Sequence, residues 1–412
     1  MMPKSVKPSR TMFSLLIPLP TTQHHQSTKL EEVVMILTNA QIVLADEIIK
    51  GTLVIKDGVI EKIDHGNVSL ANAIDCQNGY ITAGMIELHT DNMEKHFTPR
   101  PGVTWPAIQA FKVHDAQMVS AGITSVFDAI SVGDVVEGSE RLNNLSRMVD
   151  ALNDSRDRGL TRADHYLHLR CEVSHKDTLN NFHSLLEQTS VQLVSIMDHS
   201  PGQRQFAKID KYREYYQGKY KLSHDEMEAF ITRQTDASAL YSAPFREAIS
   251  NTCHKLNIPL ASHDDATLAH VEESHDFSMV IAEFPTTAEA AIAAHSKGMS
   301  VLMGAPNVVR GGSHSGNIAA HELAAAGVLD ILSSDYYPAS LLEAAFKIAQ
   351  LESNDYDIPK AMALVSLNPA KAVGLNDRGE IAVGKKADLI WSTLEEDHVH
   401  IEQVWKNGQR AF

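Results

Sequence analysis

The sequence is short of cysteine, of positive charge and of long apolar runs, and each shortage narrows what the chain can be. Cysteine occurs three times in 412 residues, at Cys76, Cys171 and Cys253. Thiols so far apart make neither a disulfide framework nor a cysteine-rich zinc knuckle, and they fit a reducing compartment such as the cytoplasm. Lys and Arg number 36 against 52 Asp and Glu, so 36 − 52 leaves a net charge of −16. That disfavours nucleic-acid backbones as partners, because they require positive potential over broad surfaces. It leaves room for a small anion in a local basic pocket. No stretch reaches the roughly 18 apolar residues that a membrane span needs. Histidine, by contrast, is plentiful at 21 residues.

Residues 1–34 carry Lys4, Lys7 and Arg10 ahead of a proline-interrupted apolar stretch. They read as a disordered extension more than a signal peptide, and translation could start at Met1 or Met35. From Met35 onward, short strands alternate with turn signals at Asn39-Ala40, Asp46-Glu47, Asp57-Gly58 and Asn78-Gly79. The C-terminus has the same texture, with a turn at Asn407-Gly408. A discontinuous β-sandwich domain built from 35–84 and 378–412 is expected.

Between these ends, eight strand-like apolar runs recur: 84–91, 123–129, 167–172, 191–199, 258–265, 278–285, 300–307 and 329–336. Each is followed by polar residues and a helical pattern. Parallel strands covered by helices follow, and eight units over about 250 residues predict an α/β fold, a (β/α)₈ TIM barrel, over 85–377. A doubly wound sheet is the alternative. The stretch 200–257 is too long for a simple crossover and reads as a helical insertion over the site.

The runs end in groups that bind metals: His89, Asp91, Glu172, His199, His263 and Asp335. In a barrel such side chains converge on one cavity. Nitrogen and carboxylate donors without thiolates suit Zn, Mn or Fe, and six donors suffice for two ions sharing a bridge. Uncompensated burial of so many charged groups would be costly.

The His-x-Asp pair, the two later histidines, the last-strand aspartate and the flanking β-sandwich resemble the amidohydrolase superfamily, a family of metal-dependent hydrolases. Longer blocks narrow the resemblance: HTDNMEKHFTPRPGVTWPA, SIMDHSPGQRQF, KYREYYQGKY, ASHDDAT, AEFPTT, VLMGAPNVVRGGSHSGN and LSSDYYPAS. They look like the diphosphatase branch that serves the carbon–phosphorus lyase route of phosphonate use. That resemblance implies hydrolysis of a ribose 5-triphosphate bearing a 1-methylphosphonate, giving the 5-phosphate and pyrophosphate. It also implies that Asp91 replaces the second histidine of the family's His-x-His pair. Glu172 would stand where many relatives carry a bridging modified lysine, and Asp335 would be both ligand and base. Dimerisation is a further implication of the superfamily.

A triphosphate in an acidic protein needs local cations. Lys95, Arg100, Arg204 and Arg310 follow strand ends among turn residues, and arginine offers phosphate a bidentate fork. Gly311 and Gly312 would let backbone N–H groups approach an anion, and His314 could act as an acid toward the leaving group. Asp264 and Asp265 remain alternatives to Asp335 as base. Two other readings stand: hydrolysis of a cyclic amide or N-acyl compound by the same centre, or a non-catalytic scaffold in a phosphonate-processing assembly.

Overall fold

The computed structural model describes residues 34–100, 102–135, 140–313 and 316–412. The expected N-terminal extension and His314 lie outside the described residues, apart from Val34, which opens the first strand. Eight parallel strands form one sheet in sequence order: β6 (Met85–Thr90), β7 (Ile123–Val132), β8 (Asp164–Glu172), β9 (Leu193–Met197), β10 (Leu260–His263), β11 (Ile281–Glu283), β12 (Ser300–Gly304) and β13 (Ile331–Ser333). The barrel closes where Thr90 bridges Asp335 in parallel. Glu87, fully buried, fastens that seam by accepting from the backbone N–H of His89 at 2.7 Å and of Ser334 at 2.6 Å. All eight strand-like runs are strands. Ile86, Leu88, Phe127, Leu193, Ala261, Ile281, Leu302 and Ile331 fill the interior, while a larger apolar layer packs the outer helices against the wall.

Both ends of the described chain build a second sheet. It comprises β1 (Val34–Val43), β2 (Ile48–Lys56), β3 (Val59–His65), β4 (Ala73–Asp75), β5 (Tyr80–Ala83), β14 (Leu389–Glu395), β15 (His398–Lys406) and β16 (Gln409–Arg410). Its β3 edge is tied to the segment that leads into β14 by Ile60 N donating to Lys385 O at 2.9 Å and Ala387 N to Gly58 O at 2.8 Å. The sheet therefore folds over Leu37, Leu53, Ile60, Trp391 and Trp405, as a sandwich does. Asp57-Gly58 and Asn407-Gly408 are two-residue hairpin turns with positive φ at both positions, as their sequence requires. Asn39, expected in a turn, is a left-handed residue inside β1, where the register with β2 shifts. It is a bulge, which bends the strand without ending it.

The span 200–257 holds a short 3₁₀ turn (Arg204–Phe206) and helices Ile209–Tyr220 and His224–Leu256. The last is opened by a capping box between Ser223 and Glu226. Its early residues Met227 and Phe230 pack with Phe206, Tyr212 and Tyr216 in a small separate core. Its late residues Ile249 and Cys253 pack in the layer around the barrel. No described helix is long and apolar enough to cross a membrane, and all three cysteines are buried free thiols.

Candidate metal centre and substrate cavity

A cavity of about 320 Å³ opens at the C-terminal ends of the barrel strands. His89, Asp91, Glu172, His199, His263 and Asp335, the six expected donors, all line it, and Asp264 joins them. The backbone explains the convergence: β6, β8, β9 and β10 end at or just before these residues, and Asp335 follows β13. Asp335 is held by its N–H donating to His89 O at 3.2 Å and adopts φ of +53°. Asp264 is also left-handed, with φ of +58°, which turns its carboxylate back between His199 Nε2 at 3.7 Å and His263 Nε2 at 3.5 Å.

Two subsets form. His199 Nδ1 lies 2.6 Å from Glu172 Oε2, with Asp264 on its other side. Glu283, fully buried at the end of β11, lies 3.1 Å from His89 Nδ1 and 3.2 Å from His263 Nδ1. His168 approaches the same carboxylate at 3.9 Å and faces Leu88 O at 2.8 Å. The two triads His89–His168–Glu283 and His199–His263–Asp264 each gather donor atoms within 4.8 Å of one another. Despite its 3.1 Å approach to Glu283, His89 Nδ1 is not aligned for a hydrogen bond, and Asp91 Oδ1 is likewise buried with no partner. Orphaned buried nitrogen and oxygen atoms beside a carboxylate-rich wall fit divalent cations. Burial pushes the His89 imidazole below its ordinary range, with Glu283 opposing, which favours the neutral state that binds metals. Burial, reinforced by the charge of Asp91, pushes the Asp335 carboxyl up to about 7.

The expected phosphate contacts separate. Arg310 lines the cavity with Gly312, beyond β12. Lys95 is not among the lining residues; it donates to the backbone oxygen of Tyr336, which is, with its ammonium 5.4 Å from that ring. Arg100 is exposed in a small turn whose Val103 N–H donates to Arg100 O at 3.0 Å, and it is not among the lining residues. Arg204 is a correction. It is 2 % exposed, pairs with Asp265 and with Glu273 at 2.7 Å, and lies outside the cavity lining. A guanidinium committed to two carboxylates is not free to clamp a phosphate. The same pairing takes Asp265 out of contention as base.

Four residues that the sequence reading passed over matter here. Arg141, Arg170 and Lys219 line the cavity, and Glu283, itself outside the lining, lies behind His89 and His263. The available signal was a charged residue inside an apolar strand, at Arg170 in LHLRCE and Glu283 in VIAEF. Tyr212 and Tyr216 are buried, as an apolar helix face predicts, but Tyr215 is half exposed and lines the cavity with Tyr216.

Residues 270–412 match the amidohydrolase family, and a closed barrel with a carboxylate–imidazole centre defines a metal-dependent hydrolase of that class. The chain is 53% identical to the alpha-D-ribose 1-methylphosphonate 5-triphosphate diphosphatase of Escherichia coli (strain K12) over 378 residues, 92% of this chain and all of that one. It belongs to the diphosphatase family that this relative represents, within the amidohydrolases. Solved structures share the fold at low identity. N-acetylglucosamine-6-phosphate deacetylase from Pasteurella multocida gives a TM-score of 0.60 at 13% identity, covering 92% of this chain and 99% of that one. 5-methylcytosine deaminase from Klebsiella pneumoniae gives 0.58 at 16%, covering 91% and 97%.

Proposed function

We infer that this chain hydrolyses α-D-ribose 1-methylphosphonate 5-triphosphate to the 5-phosphate and pyrophosphate. The observation that carries this reading is the 53% identity to a diphosphatase along that relative's whole length. The cavity supports it: Arg141, Arg170, Lys219 and Arg310 gather there in a chain of net charge −16. A neutral amide gives no reason for that collection, and a scaffold gives none for an open cavity lined by metal donors.

His89, Asp91, Glu172, His199, His263 and Asp335 would hold two divalent ions, with Glu283 orienting His89 and His263 from below. Such ions, when bound, supply Lewis acidity, lowering the pKa of water and offsetting phosphate charge. The chain's own residues do the rest. Asp335, facing the cavity among the metal donors, accepts a proton from the attacking water. The water oxygen bonds to the α-phosphorus, and the bond from that phosphorus to the bridging oxygen breaks. Pyrophosphate leaves with the electron pair, and the second proton ionises from the product phosphate. Arg310 and Lys219, at the rim, would receive the leaving diphosphate. A cytoplasmic location, in keeping with three free thiols, and a homodimer complete the reading.

The test is phosphorus NMR of metal-replete protein offered the ribosyl triphosphate, nucleoside triphosphates and cyclic amides. Pyrophosphate from the ribosyl triphosphate is expected. Orthophosphate in its place, or turnover of amides alone, overturns the reading.

A further inference from the structure

Arg170 occupies an unusual place. Alternate residues of β8 face the barrel interior: Tyr166 stacks on Phe127 with ring centroids 4.8 Å apart, His168 approaches Glu283, and Glu172 meets His199. With a period of two, Arg170 falls on the same face, between His168 and Glu172. It therefore sits deeper than Arg310, which is exposed at the end of the short helix Ala305–Arg310 beyond β12. Arg170 lines the cavity, yet its Nε and Nη1 are buried and no described group accepts a hydrogen bond from either.

A half-buried arginine with two buried, unanswered N–H donors is costly to leave so. Its charge lies near enough to His89, Asp264 and Asp335 to act on each of them, but none of these takes its hydrogen bonds. The cluster around it is the one that would hold divalent cations, and a fixed cation beside such cations favours an anion between them. The donors of Arg170 and the metal donors open onto a single cavity.

We propose that Arg170 grips the non-bridging oxygens of the phosphoryl group under attack, and so determines that the site acts on phosphorus and not on a neutral carbonyl. This deepens the diphosphatase reading and rests on it. The depth of Arg170 assigns it the reacting α-phosphoryl group, while the rim cations take the departing diphosphate. The guanidinium fork matches two oxygens of one phosphoryl group. As the water oxygen bonds to phosphorus and the bridging bond breaks, charge on those oxygens is held by Arg170 without protein rearrangement.

The experiment compares Arg170→Ala and Arg170→Lys with wild type by steady-state kinetics on the ribosyl triphosphate, with metal content and melting temperature measured in parallel. Removing a fixed donor of this kind typically lowers turnover by about 10²–10³-fold. That loss is expected in kcat for Arg170→Ala, with metal content unchanged and activity partly restored by added guanidinium ion. Arg170→Lys should stay impaired, because a point charge lacks the fork. A kcat within threefold of wild type overturns the assignment. So does a loss that tracks metal content and that guanidinium cannot rescue, because that marks a structural role. Binding of inorganic phosphate to metal-replete protein, weakened at least tenfold by Arg170→Ala, is read independently of turnover. If wild type releases no pyrophosphate while this difference persists, the diphosphatase reading fails and the phosphoryl contact stands. If the difference is absent, the contact fails.

Discussion

Glu172 and His199, which close neighbouring barrel strands, are coupled twice: one carboxylate oxygen meets the imidazole at 2.6 Å and the other accepts the His199 backbone N–H at 3.2 Å. The main-chain contact survives removal of the ring and holds the backbone beyond β9 in place. His199→Ala should therefore keep its fold and bind less metal than wild type. Elemental analysis after metal-replete purification checks this, and wild-type content in the variant would remove His199 from the donor set.

Asp335→Asn keeps size and hydrogen-bonding capacity but discards the basic oxygen. Loss of a positioned base costs about 10²–10⁴-fold. Turnover should fall by that order while binding changes less. If kcat stays within threefold of wild type, Asp264, which faces the same cavity, takes the role.

Arg204 and Arg310 should behave oppositely. Arg204→Ala leaves Asp265 buried and unpaired and Glu273 short of a partner, and breaking a buried pair this way costs about 3–5 kcal/mol. Urea denaturation should show that loss directly. Arg310→Ala should leave the denaturation midpoint unchanged and weaken catalysis by roughly 10- to 150-fold, the worth of one charged hydrogen bond. Equal effects of the two variants on stability would contradict the geometry.

On the helix-facing side of the barrel wall, His165 is clasped by Asp128 at 2.7 Å and Asp115 at 3.3 Å, with His114 on the other oxygen of Asp128 at 2.6 Å. Burial alone would lower the His165 pKa, but Asp128 and then Asp115 outweigh it and raise it to about 9. A folded-state pKa above the unfolded value of about 6.5 stabilises fully below that pH. The contribution is lost as pH rises through 9. The melting temperature should thus decline between pH 6.5 and 9.5, and His165→Gln should flatten that part of the profile. A variant with the wild-type slope would locate the titration elsewhere.

Much of this was legible in the sequence. Eight apolar runs became eight strands, because parallel barrel strands are covered on both faces and read as near-continuous apolar segments. The same property hid Arg170 and Glu283, since nothing in such a run distinguishes an inward residue from an outward one until the register is fixed. Arg204 and Arg310 sit in similar local contexts, turn residues past a strand end. What separates them is Glu273, 69 residues from Arg204, and no local pattern reports a partner at that distance. The Asn39 bulge was mistaken for a turn because both need the left-handed backbone that Asn tolerates.

The second sheet joins strands made far apart in time. Ala83 of β5 pairs with Leu389 of β14, and 389 − 83 is 306 residues. At roughly 5–20 residues per second, β5 leaves the ribosome about 15–60 s before its partner is made. For that interval its apolar edge stands open while the barrel itself is still being made, since the closing bridge to Asp335 and the core residues Leu341, Val365 and Ala370 all come after β13. The nascent chain thus carries an unsealed strand edge throughout synthesis of the barrel, an arrangement open to mispairing with a neighbouring chain. Its yield should depend more on chaperones that shield such edges during synthesis than on the stability of the completed enzyme.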